Sequence, residues 1–122
     1  MKKTHYGDEP TRLLIGKSFV IFRWGAEREE DGEGGTSWTA YELRVSAPVT
    51  ANRVIEEVFS AYFGNDHENK LINEYNSAQV GILTGEAAAK AVKAYTDFLT
   101  ERAALKADIE RIISTAQELG QI

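Results

Sequence analysis

The stretch from Gly85 to Leu119 reads as one uninterrupted helix, and its length limits what the rest of the chain can become. At ~1.5 Å rise per residue such a helix spans on the order of 50 Å, whereas a compact body built from a chain of this size is nearer ~30 Å across. A helix that outruns its own domain must project or find a partner. Apolar or small residues recur at Ala91, Tyr95, Phe98, Leu105, Ile109, Ile112, Ala116 and Leu119, alternating steps of four and three with a break at Arg102. That is the spacing of a heptad seam. Val92, Leu99 and Ile113 widen it to the stripe that globular bundles bury, so the same residues also suit packing within the chain. The shorter helices upstream cannot cover all of it, and Leu105, Ile109, Ile112, Ala116 and Leu119 are expected to form a contact between copies, making a homo-oligomer. Arg102 either pairs with Glu101 or Asp97 of a neighbour or snorkels to solvent.

Ahead of the helix, Ser18 to Trp24 is short, aromatic and β-branched, and Ser37 to Val45 alternates polar with apolar, so both satisfy strand criteria and together predict a β-hairpin over 17–47. In the second strand Thr39, Tyr41, Leu43 and Val45 share one face, and Trp38, Ala40, Glu42 and Arg44 the other. The first strand is apolar on both faces, so it is covered on both sides or leaves a sticky outer face. A lone hairpin is marginal and must lean on helices, a third strand or another subunit. Residues 26–36, rich in glycine and acids, carry too little apolar surface to order themselves and predict a mobile loop. Its acids, Glu27, Glu29, Glu30, Asp31 and Glu33, lack the ligand spacing of a calcium-binding loop. Residues 1–16 are read as a flexible basic arm.

Thr50 opens a first helix as its N-cap, with an apolar stripe of Val54, Ile55, Val58, Phe59, Tyr62 and Phe63 that ends at Gly64. Asn65 caps a second helix that buries Leu71, Ile72 and Tyr75 and stops at Gly81. Phe59 and Tyr75 are expected in the core. Asn65, Asn69, Asn73 and Asn76 form an amide stripe along the second helix, suited to solvent or to a polar partner. Asp66, His67 and Glu68 are residue types that a helix amino terminus favours.

The chain of 122 residues fits one domain, has no cysteine and carries a formal charge of −5. Residues 1–23 hold five Lys/Arg against two acids, and every later stretch is acidic on balance, which argues against phosphate-backbone binding and predicts no nucleic-acid partner. Without thiols there is no disulfide framework and no cysteine metal site, which fits the cytoplasm, and no apolar run suits a signal peptide or a membrane span. His5 and His67 are the only histidines; no nucleophile, phosphate-cradling or metal-ligand motif is present, so neither an enzyme nor a cofactor or metal site is expected.

The fold expected is α+β in a single domain, an amino-terminal hairpin followed by a helical part over 48–122 with its last helix long. The function expected is a non-enzymatic structural or protein-interaction module that oligomerises through that helix. The alternative is a small-ligand or peptide binder using Trp24 and Trp38 of the hairpin with Asn69, Asn73 and Asn76.

Overall fold

In the computed structural model, which describes residues 1–30 and 32–122, an antiparallel sheet is followed by three helices, so the α+β class stands. The strands are β1 (Thr4–Tyr6), β2 (Leu13–Ile15), β3 (Phe19–Glu30) and β4 (Thr36–Ser46), and the helices α1 (Ala51–Tyr62), α2 (Asn65–Gln79) and α3 (Gly85–Glu118). The sheet has four strands in the order β1-β4-β3-β2. Its two edge strands come from the segment read as a flexible arm: Leu13↔Phe22 and Ile15↔Val20 join β2 to β3, and Thr4↔Ala40 and Tyr6↔Trp38 join β1 to β4. Three residues per edge are too few to stand out by periodicity, yet they give the hairpin the flanking strands it needs.

Residues 26–36 are likewise shorter as a loop than their composition suggests. Pairing continues through Glu27↔Thr39, Arg28↔Trp38, Glu29↔Ser37 and Glu30↔Thr36, and Lys3 Nζ lies 3.1 Å from Glu27 Oε1. Composition reports missing apolar surface, but a strand extension needs only backbone partners. Asp31, one of the acids in that expected loop, lies outside the described residues. The register shifts between Trp24 and Glu27, where Gly25 has φ +64° and the ring of Tyr41 would stand 3.1 Å from an added Cβ. Glycine is required there twice over, by the left-handed backbone of the bulge and by the close ring.

The chain divides into two compact units, one of Met1–Val58 with Ile109–Ile122 and one of Phe59–Asp108. The long helix contributes residues to each. In the first unit the register Val20↔Val45, Phe22↔Leu43 and Trp24↔Tyr41 sets one sheet face; Val20, Phe22, Trp24 and Val45 on it are buried, as are Val54, Ile55 and Val58 of α1 and Ile109, Ile113 and Ala116 of α3. Thr50 caps α1 as expected, its Oγ1 accepting from the Arg53 amide at 3.2 Å. The Ala47–Pro48 peptide before it is cis.

Arginines lie over rings of the opposite sheet face. The Arg44 guanidinium lies 3.9 Å from the centre of the Phe19 ring, and Arg23, 5.0 Å from the Tyr6 ring, donates from Nε to Glu42 Oε2 at 3.2 Å. β1 and β2 occupy opposite edges, and Arg23 holds the segment between them by donating from Nη1 to the Thr11 carbonyl at 3.1 Å. The apolar outer side of β3 thereby meets the chain's own arginines.

The second unit is built on aromatic rings. Phe63 stands edge-on to Phe98 at 5.1 Å and to Phe59 at 5.3 Å, Tyr95 stacks 6.5 Å from Phe98, and Tyr75 lies 4.9 Å from Tyr95. Phe59 and Tyr75, expected in the core, are only half-buried; Phe59 lies under Arg102, whose Cζ is 5.2 Å from its ring. The interrupted seam position thus packs on an aromatic face. Gly64 turns the chain at φ +72° and itself occupies the N-cap of α2, with no side-chain capping bond. Asn65 is therefore the first helical residue instead of the cap. No helix among the described residues is long and apolar enough to cross a membrane.

Candidate functional site

A concave feature with convergent polar groups lies in the second unit, an open groove of about 400 Å³ lined by Tyr62, Phe63, His67, Leu71, Ala94, Asp97, Phe98 and Glu101. Local geometry brings these residues together. Tyr62 ends α1 and Phe63 follows it into the Gly64 corner; His67 and Leu71 are four apart on α2; Ala94, Asp97, Phe98 and Glu101 follow steps of three, one and three on α3, and so share one side of that helix. Phe98, 6% exposed, forms the floor. Tyr62 and Phe63, with rings 4.9 Å apart, form a wall, and the His67 ring stands edge-on to Phe98 at 6.4 Å.

The rim is acidic. The Tyr62 hydroxyl donates to Glu101 Oε1 at 2.7 Å, which holds the phenol and carboxylate side by side, and one acceptor bond leaves a carboxylate with further capacity. Asp97 pairs with Lys93 at 2.5 Å, both side chains being well exposed. Ring faces beside carboxylates suit a cationic or amphipathic group, since the rings supply dispersion and quadrupole attraction and the carboxylates supply charge. No cluster of metal-ligating side chains occurs among the described residues.

The residues singled out by sequence fall elsewhere and apart. Trp24 is buried on the inner sheet face, whereas Trp38, half-buried, pairs with Tyr6 and Arg28 on the other face; the two tryptophans do not form one surface. Asn69, Asn73 and Asn76 are exposed on α2, and none lines the groove. Of the expected contact between copies, Leu105, Ile109 and Ala116 are 8%, 0% and 3% exposed within the single chain. All three are thus buried before any second copy is considered. Ile112 is half-buried, and Leu119, at 67% exposure, is free.

Sequence reasoning missed this groove because Tyr62, Phe63 and Phe98 sit in apolar stripes and read as core. A signal was present in Asp97 and Glu101 flanking Phe98 at i, i+4, a pair of like charges that a helix only tolerates. Comparison with models of protein families, with curated proteins and with solved structures finds no match to this chain.

Proposed function

We propose that this chain is a non-enzymatic protein-interaction module whose recognition surface is the groove between Tyr62, Phe63, His67, Phe98 and Glu101. One observation carries the reading: the half-buried rings of Tyr62 and Phe63 line a groove floored by Phe98 whose rim holds two carboxylates, Asp97 and Glu101. Aromatic anchors in a partly desolvated concavity are what binding hot spots are made of. The chemistry of the lining suits recognition, since ring faces and carboxylates stand together at an open rim.

The test is selection of peptides on the immobilised full chain, followed by mapping of the bound peptide through amide shifts. Binders whose shifts centre on Tyr62, Phe63, His67 and Glu101, and which Tyr62→Ala weakens, support the reading. Selection that yields no binder at the groove, or binders mapping only to the sheet, would overturn it.

A further inference from the structure

We propose that β2 is a docking edge for an extended segment of a partner protein, which adds to the sheet as a fifth strand and sets two aliphatic side chains into the groove beside it. β2 stands at the end of the strand order, and no further described strand pairs with it. Its ladder to β3 fixes which way the backbone groups point. The Arg23 amide donates to the Arg12 carbonyl at 2.9 Å and the Gly16 amide to the Phe19 carbonyl at 2.8 Å. With Leu13↔Phe22, Leu14↔Ile21 and Ile15↔Val20 in register, Arg12, Leu14 and Gly16 are therefore the residues that exchange hydrogen bonds with β3. The N–H and C=O groups of Leu13 and Ile15 face the other way, at the spacing that another antiparallel strand uses.

The side chains of the same two residues turn to the inner face, since each stands opposite a fully buried residue, Phe22 or Val20. There they line a groove of about 380 Å³ with Ile112, Thr115 and Ala116 of α3, all within the first unit. An added strand places the residues opposite Leu13 and Ile15 over this groove and the one between them on the face of Leu14. The segment that fits has branched aliphatic residues two apart. Arg12 and Arg111 also line the groove, but both are engaged within the chain, so the aliphatic wall sets the preference. Within β2 nothing deters pairing: its sequence is Leu-Leu-Ile, with Leu14 42% and Ile15 36% exposed. The other edge, β1, is Thr-His-Tyr behind Lys2 and Lys3, the polar, charged kind of edge that resists an added strand. The occupant is a lone segment and not a second copy. Three residues offer about 10 Å of edge, a contact for one strand and well short of the ~800 Å² per partner that a stable dimer buries.

The deciding experiment is an amide-shift titration of the full chain with the blocked hexapeptide Lys-Val-Thr-Val-Thr-Lys. Shifts should centre on Leu13, Leu14, Ile15, Ile112 and Thr115. Methylating the backbone nitrogens of both valines removes the amides that meet β2 and should weaken binding about ten-fold or more, the size of losing two backbone hydrogen bonds. Methylating the threonine between them, whose amide points away from β2, should leave binding nearly unchanged. Ile15→Pro deletes an outward N–H on an edge strand, a place where proline is tolerated, and should abolish binding while the remaining sheet amides keep their shifts. Should that variant unfold, the two methylated peptides decide on the unaltered chain. No shift at millimolar peptide, shifts centred on Tyr62 and Phe63 or elsewhere, or equal weakening by both methylation patterns would each overturn the inference. A parent chain that dimerises in sedimentation equilibrium and that Ile15→Pro returns to monomer would overturn it as well, by giving the edge to a second copy. Recognition at the groove of the second unit stands or falls separately, because its peptides map to Tyr62, Phe63, His67 and Glu101.

Discussion

Ile109 lies in the stretch of α3 that sequence periodicity assigns to a contact between copies, yet it is 0% exposed in the single chain. Replacing it with alanine tests which description holds. The substitution removes three carbons from a fully buried site, a loss of about 2.4 kcal/mol at ~0.8 kcal/mol per buried methylene. A residual void of even ~50 Å³ would add about 1.2 kcal/mol at ~24 cal/mol per Å³, and the better helix propensity of alanine returns a few tenths. A net loss of roughly 2–4 kcal/mol is expected. Both tryptophans, Trp24 and Trp38, lie in the same unit as Ile109, so tryptophan emission during urea unfolding reports on that unit alone. Leu119→Ala, at a position 67% exposed on the same helix, is the control and should cost under ~0.5 kcal/mol. Because the packing is internal, the Ile109→Ala midpoint should not depend on protein concentration. A loss below ~1 kcal/mol, or midpoints for the parent chain that rise with concentration as a subunit contact requires, would refute the internal assignment and restore the intersubunit one.

Other perturbations probe separate parts of the molecule. Burial raises the Tyr6 phenol above its ordinary value of 10.0, with the hydrogen bond to Glu42 acting in the same direction; the folded state therefore holds this proton more tightly, its contribution is complete below the unfolded tyrosine value, and it is lost as pH climbs toward the folded one. Tyr6→Phe should flatten the fall in stability above pH 10.0, as followed by urea midpoints across the alkaline range, and an unchanged slope would show that the phenol is not linked to folding. Gly25→Ala places a Cβ at φ +64° against the Tyr41 ring and should cost about 1–2 kcal/mol with altered near-ultraviolet circular dichroism; a neutral result would mean the bulge relaxes freely. Thr39 is 3% exposed and its hydroxyl finds no partner among the described residues, so Thr39→Val should raise stability by about 1 kcal/mol, and a loss would reveal a bond that the hydroxyl makes. Millimolar calcium should leave the melting temperature unchanged, since binding to the native chain would necessarily raise it.

The elements whose period is long were determined by the sequence alone. Thirty-four residues of α3, Gly85–Glu118, the cap at Thr50, the left-handed corner at Gly64 and the alternation of Thr39, Tyr41, Leu43 and Val45 against Ala40, Glu42 and Arg44 are all local consequences of residue type and spacing. What local pattern cannot contain is the identity of the partner. β1 and β2, at three residues each, exist only because neighbouring strands offer them backbone bonds, and the acidic run continues as strand to Glu30 for the same reason. A heptad spacing says that Ile109 is covered without saying by what, and only the tertiary structure shows it at 0% exposure within the single chain. The groove was decided in the same way. Tyr62, Phe63 and Phe98 are apolar-stripe residues like their neighbours, and only the corner at Gly64 and the packing of the helices brought their rings together along a groove beside Glu101, because a groove's lining depends on which chain segment arrives opposite and not on a ring's own neighbours in sequence.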